Sequence, residues 1–267
     1  MADRPMPMTV TNICDQWREG KTTLGGWLAI PSTVTAEATA RCGFDYVCVD
    51  TQHGPLDFAD SVSTIQAILL GGSSPIVRVP RNEPGIIGKS LDAGAHGVII
   101  PMVNTVAEAE QAAAACRYAP RGVRSWGPIV AGMRHDYFKW EPGNVACIPM
   151  IETAEAISNL DEILEVPDID AIYVGPADLS ITLGLPPGNN DGEKAFDEAL
   201  SFILERCAAH NIIAGIQSTG ALTPKRTAAG FRMVTVTTDL LAMRMGIQAE
   251  LALARSEGAS GASSSLY

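Results

Sequence analysis

Short apolar runs recur along the chain, and segments of helical composition separate them. The runs begin near eight positions: Gly26 (GWLAI), Tyr46 (YVCVD), Pro75 (PIVRVP), Gly97 (GVIIPM), Ala146 (ACIPMIE), Asp170 (DAIYVG), Ile212 (IIAGIQ) and Met233 (MVTVTT). None alternates strictly between apolar and polar residues, which is typical of parallel strands buried on both faces. The pattern therefore predicts eight buried parallel strands.

Helices are predicted between these strands. The clearest signals are the capping box TVAE from Thr105 to Glu108, the segment Lys194–His210 and the segment Asp239–Arg255. Gly43, Gly94 and Gly97 stand where helices turn into strands, so we expect left-handed helix C-caps at all three glycines.

Alternating strands and helices predict a parallel sheet with right-handed crossovers. Eight such units in about 250 residues match a (β/α)8 TIM barrel, which is an α/β fold. The alternative is an open doubly wound sheet, but that fold usually has a glycine-rich turn after its first strand, and GWLAIPSTVT has none. Because no domain boundary is visible, we predict one barrel domain over residues 1–256 and a flexible C-terminal tail over 257–267.

Two connections are longer than simple links. Residues 117–144 join the fourth and fifth strands, and residues 185–192 form a loop rich in Pro, Gly and Asn after the sixth. Long connections in compact domains are usually functional. We therefore expect residues 117–144 to act as a lid or as an oligomer contact.

The composition of the chain argues against some classes of binding partner. The chain is 46% hydrophobic and has a net charge of −11, and an acidic surface attracts neither nucleic acid nor anionic membranes. The sequence shows no signal peptide and no membrane-spanning apolar run. Its six scattered cysteines form no CxxC pair, and Cys48 and Cys147 fall inside strands as small hydrophobic residues. These features predict a soluble, reduced, cytoplasmic protein.

Ionisable residues accompany four of the predicted strands. They are Asp50 and His53 after the second strand, Arg78 in the third, Glu152 after the fifth and Asp178 after the sixth. The other strand positions of interest are Trp27 in the first strand, Gln217 in the seventh and Thr238 in the eighth. Since the active sites of (β/α)8 barrels lie at the C-terminal ends of the strands, these residues predict a single site.

Each of these residues also has a purely structural explanation. Arg78 could belong to a structural ion pair, although we favour anion binding because a charge in an apolar strand is costly unless matched. Glu152 could stabilise a helix N-terminus, and Asp178 could be the N-cap of the next helix. His53 alone is a weak signal. Asp50 beside it strengthens the case, because a carboxylate can orient an imidazole and raise its basicity.

The residue types favour some chemistries over others. Two carboxylates from adjacent strands, Glu152 and Asp178, suit a hard cation such as Mg²⁺ or Mn²⁺. A multi-histidine zinc site is excluded, because three of the four histidines (His96, His135 and His210) fall away from the strand ends. A Schiff base needs a lysine in the pocket, and none of the five lysines lies in a predicted strand. GxSxG, Walker A and dinucleotide-binding motifs do not occur.

Six motifs, in order, carry a resemblance to a known family: VDTQHGPLD, PIVRVP, KSLDAGAHGVIIPMV, RGVRSWGP, MIET and YVGPADLSITLG. Together they resemble the HpcH/HpaI family of metal-dependent pyruvate aldolases, which includes 4-hydroxy-2-oxoheptanedioate aldolase and 2-keto-3-deoxy sugar-acid aldolases. The resemblance runs from about Gly25 to about Leu253. It implies a (β/α)8 barrel whose last helix is exchanged between subunits, in dimers that build a homohexamer.

The resemblance also implies roles for individual residues. The metal carboxylates of the family match Glu152 and Asp178, which would bind Mg²⁺, Mn²⁺ or Co²⁺. Its arginine that contacts the enolate and the substrate carboxylate matches Arg78. Its acid/base histidine matches His53, and Asp50 matches the aspartate before that histidine.

Further positions of the family can be matched. Asp92 matches an aspartate that approaches the histidine from a neighbouring subunit, and Trp27 matches a tryptophan of the pocket wall. The backbone that would meet the substrate carboxylate belongs to Gly175, Pro176, Ala177 and Asp178. Two positions depart from the pattern: Met150 replaces a glutamine of some members, which removes a polar contact to the keto acid, and Gln52 replaces a glutamate.

The implied reaction is reversible retro-aldol cleavage of a 4-hydroxy-2-oxo acid to pyruvate, or a close 2-oxo acid, and an aldehyde. The cation and Arg78 would stabilise the enolate, and His53, or a water that it orients, would transfer the proton. One alternative is another enolate-forming lyase on the same site, such as an oxaloacetate decarboxylase. Another is a non-catalytic 2-oxo-acid-binding protein, which would not need the ionisable residues.

Overall fold

Eight parallel strands close into a barrel in the computed structural model of the chain, which describes residues 10–133 and 136–255. The strands are β1 (Thr23–Leu28), β2 (Tyr46–Asp50), β3 (Ser74–Arg78), β4 (Gly97–Ile100), β5 (Ala146–Ile151), β6 (Ala171–Val174), β7 (Ile213–Gln217) and β8 (Met233–Thr238). Each strand pairs with the next in sequence, and β8 pairs with β1. The predicted (β/α)8 barrel is confirmed, and the open doubly wound sheet is excluded.

Helices connect the strands and surround the barrel. They are α1 (Ile13–Arg18), α2 (Thr33–Ala40), α3 (Phe58–Gly71), α4 (Pro84–Asp92), α5 (Val106–Cys116), α6 (Tyr137–Trp140), α7 (Ala154–Ser158), α8 (Leu160–Leu164), α9 (Pro176–Thr182), α10 (Lys194–His210), α11 (Thr223–Ala229) and α12 (Asp239–Arg255), with 3₁₀ turns at Ala131–Met133 and Glu141–Gly143. The predicted bounds of α10 and α12 are confirmed. So is the capping box of α5, in which Thr105 and Glu108 exchange side-chain-to-backbone hydrogen bonds.

The glycines at the helix-to-strand turns are of two kinds. Gly43 and Gly94 have φ values of +93° and +105°, so the left-handed conformation predicted for them is confirmed. The prediction for Gly97 is wrong, because this residue begins β4. A Cβ atom on Gly97 would lie 2.9 Å from the Cβ atom of Ala146 on β5, so a glycine is needed there for close strand packing.

Side chains fill the interior of the barrel. Trp27, Tyr46 and Tyr173 belong to one buried cluster with aliphatic residues from six of the strands. Gly25 provides the space for Tyr46, since a Cβ atom on Gly25 would lie 2.0 Å from the Cζ atom of the tyrosine ring. The pairing of a glycine with a large aromatic ring keeps the interior at the density of a protein core.

Helix α1 closes the N-terminal end of the barrel and is absent from the sequence predictions. Ile13 and Trp17 join the interior cluster, and Trp17 Nε1 donates to Thr23 Oγ1 at 3.1 Å. With six residues, α1 is too short for a periodic pattern to indicate it. The strand β1 also begins at Thr23 rather than near Gly26. The barrel therefore opens toward solvent at its C-terminal end.

A second cluster of apolar side chains lies between the strands and the surrounding helices. Cys48 and Cys147 are buried in β2 and β5, as predicted, and burial raises the pKa of the Cys48 thiol.

In the described part of the chain, no helix is both long enough and apolar enough to cross a bilayer. The tail over 257–267 and His135 lie outside the described residues, and the single domain over residues 1–256 stays a prediction.

Two surfaces carry exposed apolar side chains. The connection 117–144 exposes Trp126, Ile129, Met133 and Phe138. The helix α12 packs on β1 and β8 through its first turn, where Asp239 accepts hydrogen bonds from the backbone of Ala29 and Ile30, and it is exposed from residue 240 onward. The role of 117–144 as a lid or oligomer contact and the exchange of α12 between subunits both stay predictions.

Candidate active site

A cavity of about 420 Å³ lies at the C-terminal ends of the strands. The predicted residues that line it are Trp27, Asp50, His53, Arg78, Glu152, Gly175, Pro176, Ala177, Asp178, Gln217 and Thr238. Residues that the sequence did not single out also line it, among them Ala29, Tyr173, Gly188 and Asn189. The strand ends thus converge on one pocket, as expected for this fold.

An ion pair forms one wall of the pocket. Asp50 and Arg78 are register partners on β2 and β3. Arg78 donates from Nε to Asp50 Oδ1 at 2.9 Å and from Nη2 to Asp50 Oδ2 at 2.6 Å, and its guanidinium lies 4.9 Å from the centre of the Trp27 ring. Burial by itself would raise the pKa of Asp50, but the hydrogen bonds from Arg78 hold it below its usual value. The structural ion pair and a binding role for Arg78 are therefore compatible.

Within the described residues the Asp50 carboxylate forms no hydrogen bond with the His53 ring and holds the backbone of the turn instead. Asp50 Oδ1 accepts hydrogen bonds from the backbone N–H groups of Gln52 at 3.0 Å and His53 at 3.3 Å, and both carboxylate oxygens are bound to Arg78. The carboxylate therefore shapes the turn that carries His53 and leaves the imidazole exposed. Asp50 therefore positions His53 through the backbone of that turn.

Glu152 lies directly after β5 and is only 2% exposed. Its Oε1 accepts a hydrogen bond from the backbone N–H of Met102 at 2.8 Å. A Cβ atom at Gly175 would lie 2.4 Å from Oε2, so any larger residue there would displace the Glu152 carboxylate. Burial raises the pKa of Glu152, and the negative charge of Asp178 raises it further. Glu152 directly precedes Thr153, the N-cap of α7, so a role at this helix terminus and a role in the pocket are compatible.

Asp178 lies in the first turn of α9, and its side chain is exposed to the pocket. Gly175 is the N-cap of this helix, so the interpretation of Asp178 as an N-cap is wrong. The first backbone hydrogen bond of the helix runs from Leu179 N to Gly175 O, which leaves the N–H groups of Ala177 and Asp178 free of helical partners. Backbone donors of this kind suit an anionic group of a ligand.

Glu152 and Asp178 fit a divalent cation by their chemistry. Neither carboxylate forms an ion pair with a Lys, Arg or His side chain of residues 10–133 and 136–255, and the charge of Asp178 raises the cost of charge on Glu152. A set of three or more His, Cys, Asp or Glu side chains placed to hold a metal is absent from the same residues. Two carboxylates with further positions left for a ligand and water suit Mg²⁺ or Mn²⁺.

Hydroxyl groups connect the barrel interior to the pocket. Tyr173 OH donates to Gln217 Oε1 at 3.0 Å. Because a tyrosine has one hydroxyl proton, Thr235 must then donate to Tyr173 at 2.6 Å, and Tyr46 to Thr235 at 2.9 Å. This chain of hydrogen bonds ends on the side-chain oxygen of Gln217. The side-chain NH₂ group of Gln217 is therefore the part that can donate to a ligand in the pocket.

Comparison with known proteins agrees with this geometry. The family model of the HpcH/HpaI aldolase/citrate lyase family matches residues 24–244. The chain belongs to that family. A hydroxypyruvate/pyruvate aldolase of Rhizorhabdus wittichii is 42% identical over 242 residues, which cover 90% of this chain and 96% of the relative. A 5-keto-4-deoxy-D-glucarate aldolase of Shigella dysenteriae is 34% identical, with 84% and 89% covered.

A solved structure of an HpcH/HpaI aldolase/citrate lyase family protein from Burkholderia cenocepacia superposes with a TM-score of 0.85. It is 30% identical and covers 92% of this chain and 100% of that one. As a member of the HpcH/HpaI family with aldolases as relatives, the protein is a carbon–carbon lyase.

One residue matched to the HpcH/HpaI family lies away from the pocket of its own chain. Asp92 ends α4 and accepts a hydrogen bond from Arg124 Nη2 at 2.7 Å. The Arg124 side chain is buried against the rings of Tyr118 and Tyr137, at 4.5 and 5.5 Å from their centres. An approach of Asp92 to the histidine of a neighbouring subunit stays a prediction.

We predict that Asp50→Asn destabilises the fold by about 3–5 kcal/mol, because it leaves the Arg78 guanidinium buried without its carboxylate. Urea unfolding at matched protein concentration measures the loss. The folded-state pKa of Asp50 lies below its ordinary value of 3.8, so its contribution is present above that pH and is lost as the pH falls through the folded-state pKa. The stabilities of wild type and variant should therefore converge in acid.

The control is Glu110→Gln, which removes one exposed carboxylate from α5. Its effect should stay within about 0.5 kcal/mol. Equal effects of the two substitutions would contradict the importance of the ion pair.

Proposed function

We propose that the chain is a metal-dependent pyruvate aldolase. It would cleave a 4-hydroxy-2-oxo acid reversibly to pyruvate, or a close 2-oxo acid, and an aldehyde. The observation that carries the proposal is a pair of carboxylates, Glu152 and Asp178, that form no ion pair within the described residues and share a pocket with Arg78 and His53. The names of the relatives as pyruvate and keto-deoxy sugar-acid aldolases support the substrate class.

Glu152 and Asp178 are the residues that would hold the cation, with Mg²⁺, Mn²⁺ or Co²⁺ as candidates. When bound, such an ion supplies Lewis-acid stabilisation of the negative charge that develops on the 2-oxo oxygen. The buried position of Glu152 and its hydrogen bond to Met102 fix one carboxylate before a ligand arrives. The backbone N–H groups of Ala177 and Asp178 face an anionic group of the substrate.

Arg78 stabilises the enolate in this mechanism. Asp50 binds its Nε and Nη2, and Nη1 has no hydrogen-bond partner within the described residues. The guanidinium is thus held in place by its ion pair and by Trp27, while donors remain for a substrate oxygen. A donor that needs no reorganisation during the reaction is the kind that lowers a barrier by about 3–4 kcal/mol.

His53 transfers the proton. In the cleavage direction it accepts the proton of the 4-hydroxyl group while the C3–C4 bond breaks and its electron pair enters the enolate. The same imidazole, or a water that it orients, then protonates C3 to give pyruvate. The exposed ring and the backbone held by Asp50 allow this exchange at the mouth of the pocket.

The floor of the pocket is apolar beside the carboxylates. Met150 is 2% exposed, and its Cε atom lies 3.0 Å from the position of a Cβ atom at Gly175. The rings of Trp27 on β1 and Tyr173 on β6 lie 5.7 Å apart, centre to centre, in the pocket lining. Such a floor suits the methyl group of pyruvate.

We predict that chelation abolishes retro-aldol activity and that Mg²⁺, Mn²⁺ or Co²⁺ restores it. In metal-free protein, Glu152→Gln should raise the Tm, because it removes a buried carboxylate opposed by the charge of Asp178. Added Mn²⁺ should raise the Tm of the wild type and leave that of Glu152→Gln unchanged. The exposed Glu155 provides the control, Glu155→Gln, which should respond to Mn²⁺ as the wild type does.

Activity that survives complete removal of metal, or trapping of a lysine adduct by borohydride, would overturn the metal mechanism. Product analysis with oxaloacetate distinguishes an aldolase from a decarboxylase on the same site. A protein with no turnover of any of these substrates in any metal would be a binding protein instead.

We predict that His53→Ala slows both retro-aldol cleavage and the exchange of the C3 protons of pyruvate with deuterium, by about 10²–10⁴-fold. His210→Ala is the matched control, because His210 binds Asp161 at the end of α10, far from the pocket lining. Full rates in His53→Ala would remove the histidine from the mechanism.

We also infer that a second copy of the chain covers α12 and the connection 117–144, in a homo-oligomer with a hexamer as the expected form. The apolar side chains that support this inference are Leu240, Leu241, Met243 and Ile247 on α12 together with Trp126, Ile129 and Phe138. Sedimentation equilibrium should give six times the mass of the chain, and a stable monomer would contradict the inference.

A further inference from the structure

The loop 185–192 is fastened to two helices, although its composition is that of a free loop. Ser180 on α9 donates to Gly188 O at 2.9 Å and accepts from Asn190 Nδ2 at 2.8 Å. On the other side, Arg226 of α11 donates to both carboxylate oxygens of Asp191, at 2.9 and 2.6 Å. The second half of the loop is therefore held between α9 and α11.

Arg226 also binds the residue of this loop that lines the pocket. Its Nη2 donates to Asn189 Oδ1 at 2.9 Å, and the arginine is only 3% exposed. A guanidinium has donors and no acceptor, so it can bind only the oxygen of a carboxamide. The orientation of the Asn189 amide is thus dictated by Arg226, and its Nδ2 donors are turned away from that side chain.

Asn189 Nδ2 makes no hydrogen bond within residues 10–133 and 136–255, while Asn189 is part of the pocket lining. The strand-end residues Glu152 and Arg78 are nearly buried, whereas Asn189 lies on a connecting loop and is partly exposed. The loop therefore borders the outer part of the pocket, farther out than Glu152 and Arg78, which are assigned to the cation and the enolate.

We propose that Asn189 is a specificity-determining residue that donates a hydrogen bond to an oxygen substituent on the aldehyde half of the substrate, and that Arg226 is its positioning residue. The proposal rests on the pyruvate aldolase activity proposed above. Because Arg226 already binds the carboxamide oxygen of Asn189, the side chain offers the substrate only its N–H groups. These donors favour an aldehyde with a hydroxyl group next to its carbonyl over an alkyl aldehyde of the same size. An alkyl aldehyde would leave the amide protons unpaired.

The test compares two aldehydes with equal numbers of heavy atoms, glycolaldehyde and propanal, each added to pyruvate in Mn²⁺. The measured quantity is the ratio of kcat/KM for glycolaldehyde to kcat/KM for propanal. Asn189→Leu keeps the approximate size of the side chain and removes the donor, so the ratio should fall about 5- to 10-fold. A ratio within about twofold of wild type would overturn the assignment of Asn189.

Arg226 is tested by Arg226→Met and by the double variant. Arg226→Met should lower the ratio in the same direction, and adding it to Asn189→Leu should cause no further fall, because both changes remove the same oriented donor. Additive losses would contradict a positioning role. If Arg226→Met does not fold, Arg226→Lys takes its place, with a smaller fall in the ratio expected, and an unchanged ratio contradicts the role.

Lys225→Met is the matched control. Lys225 contacts Asp191, at 2.5 Å from Nζ to Oδ1, and its side chain is exposed. This variant removes a neighbouring cation without touching Asn189, so the ratio should equal that of the wild type. A fall like that of Arg226→Met would mean that only the charge near Asp191 matters.

Deuterium exchange at C3 of pyruvate in the wild type separates this inference from the proposed function. If the wild type neither exchanges these protons nor joins pyruvate to either aldehyde, the pyruvate aldolase proposal fails. If exchange occurs and Asn189→Leu has the wild-type ratio, the role of Asn189 fails alone.

Discussion

Closing eight parallel strands into a ring creates an interior of fixed volume, and the remaining features of the molecule follow from how that interior is filled. Large rings occupy it where small residues make room, as Tyr46 does opposite Gly25. The filling ends at Trp27 and Tyr173, whose rings lie 5.7 Å apart. Beyond these rings, the strand ends surround space rather than packed side chains, and that space is the pocket. The depth of the active site is therefore set by core packing.

Charges around the pocket fall into two groups that differ in whether the chain itself neutralises them. Asp50 and Arg78 neutralise each other across neighbouring strands, so they add rigidity with little net charge. Glu152 and Asp178 have no such partner in the described residues, and the negative charge of Asp178 makes ionisation of Glu152 less favourable. A buried charge that the fold leaves uncompensated is costly in the free protein. A ligand of opposite charge would offset that cost.

Much of this arrangement could be predicted from the sequence, because it depends on local pattern. The apolar runs indicated every strand, and the ionisable residues at their ends indicated the pocket, since all parallel strands end on the same side of a barrel. The helices α10 and α12 were predicted at their observed bounds for the same reason. Local periodicity and the geometry of the fold class together determine these features.

The features that the sequence analysis predicted wrongly or did not find depend on contacts between residues distant in sequence. Asp50 was considered as the carboxylate that orients the His53 imidazole, but the strand register pairs it with Arg78, and only the backbone N–H of His53 binds it. Gly97 serves packing against β5 rather than a turn. The orientation of Asn189 depends on Arg226, which belongs to another helix. No local pattern reports such partners, since they are determined only when the barrel closes.

Helix α1 has a further consequence for how the protein can change. Ile13 and Trp17 close the N-terminal end of the barrel. Every reactant must therefore enter and leave at the C-terminal rim. The rim is built from connecting loops, while the floor is built from strand ends that also hold the core together. Sequence change in a loop such as 185–192 can thus alter which molecules are admitted without disturbing the packing beneath. The loops decide which molecules reach the strand ends, and the strand ends carry the reactive residues. Only the loops can vary without disturbing the core.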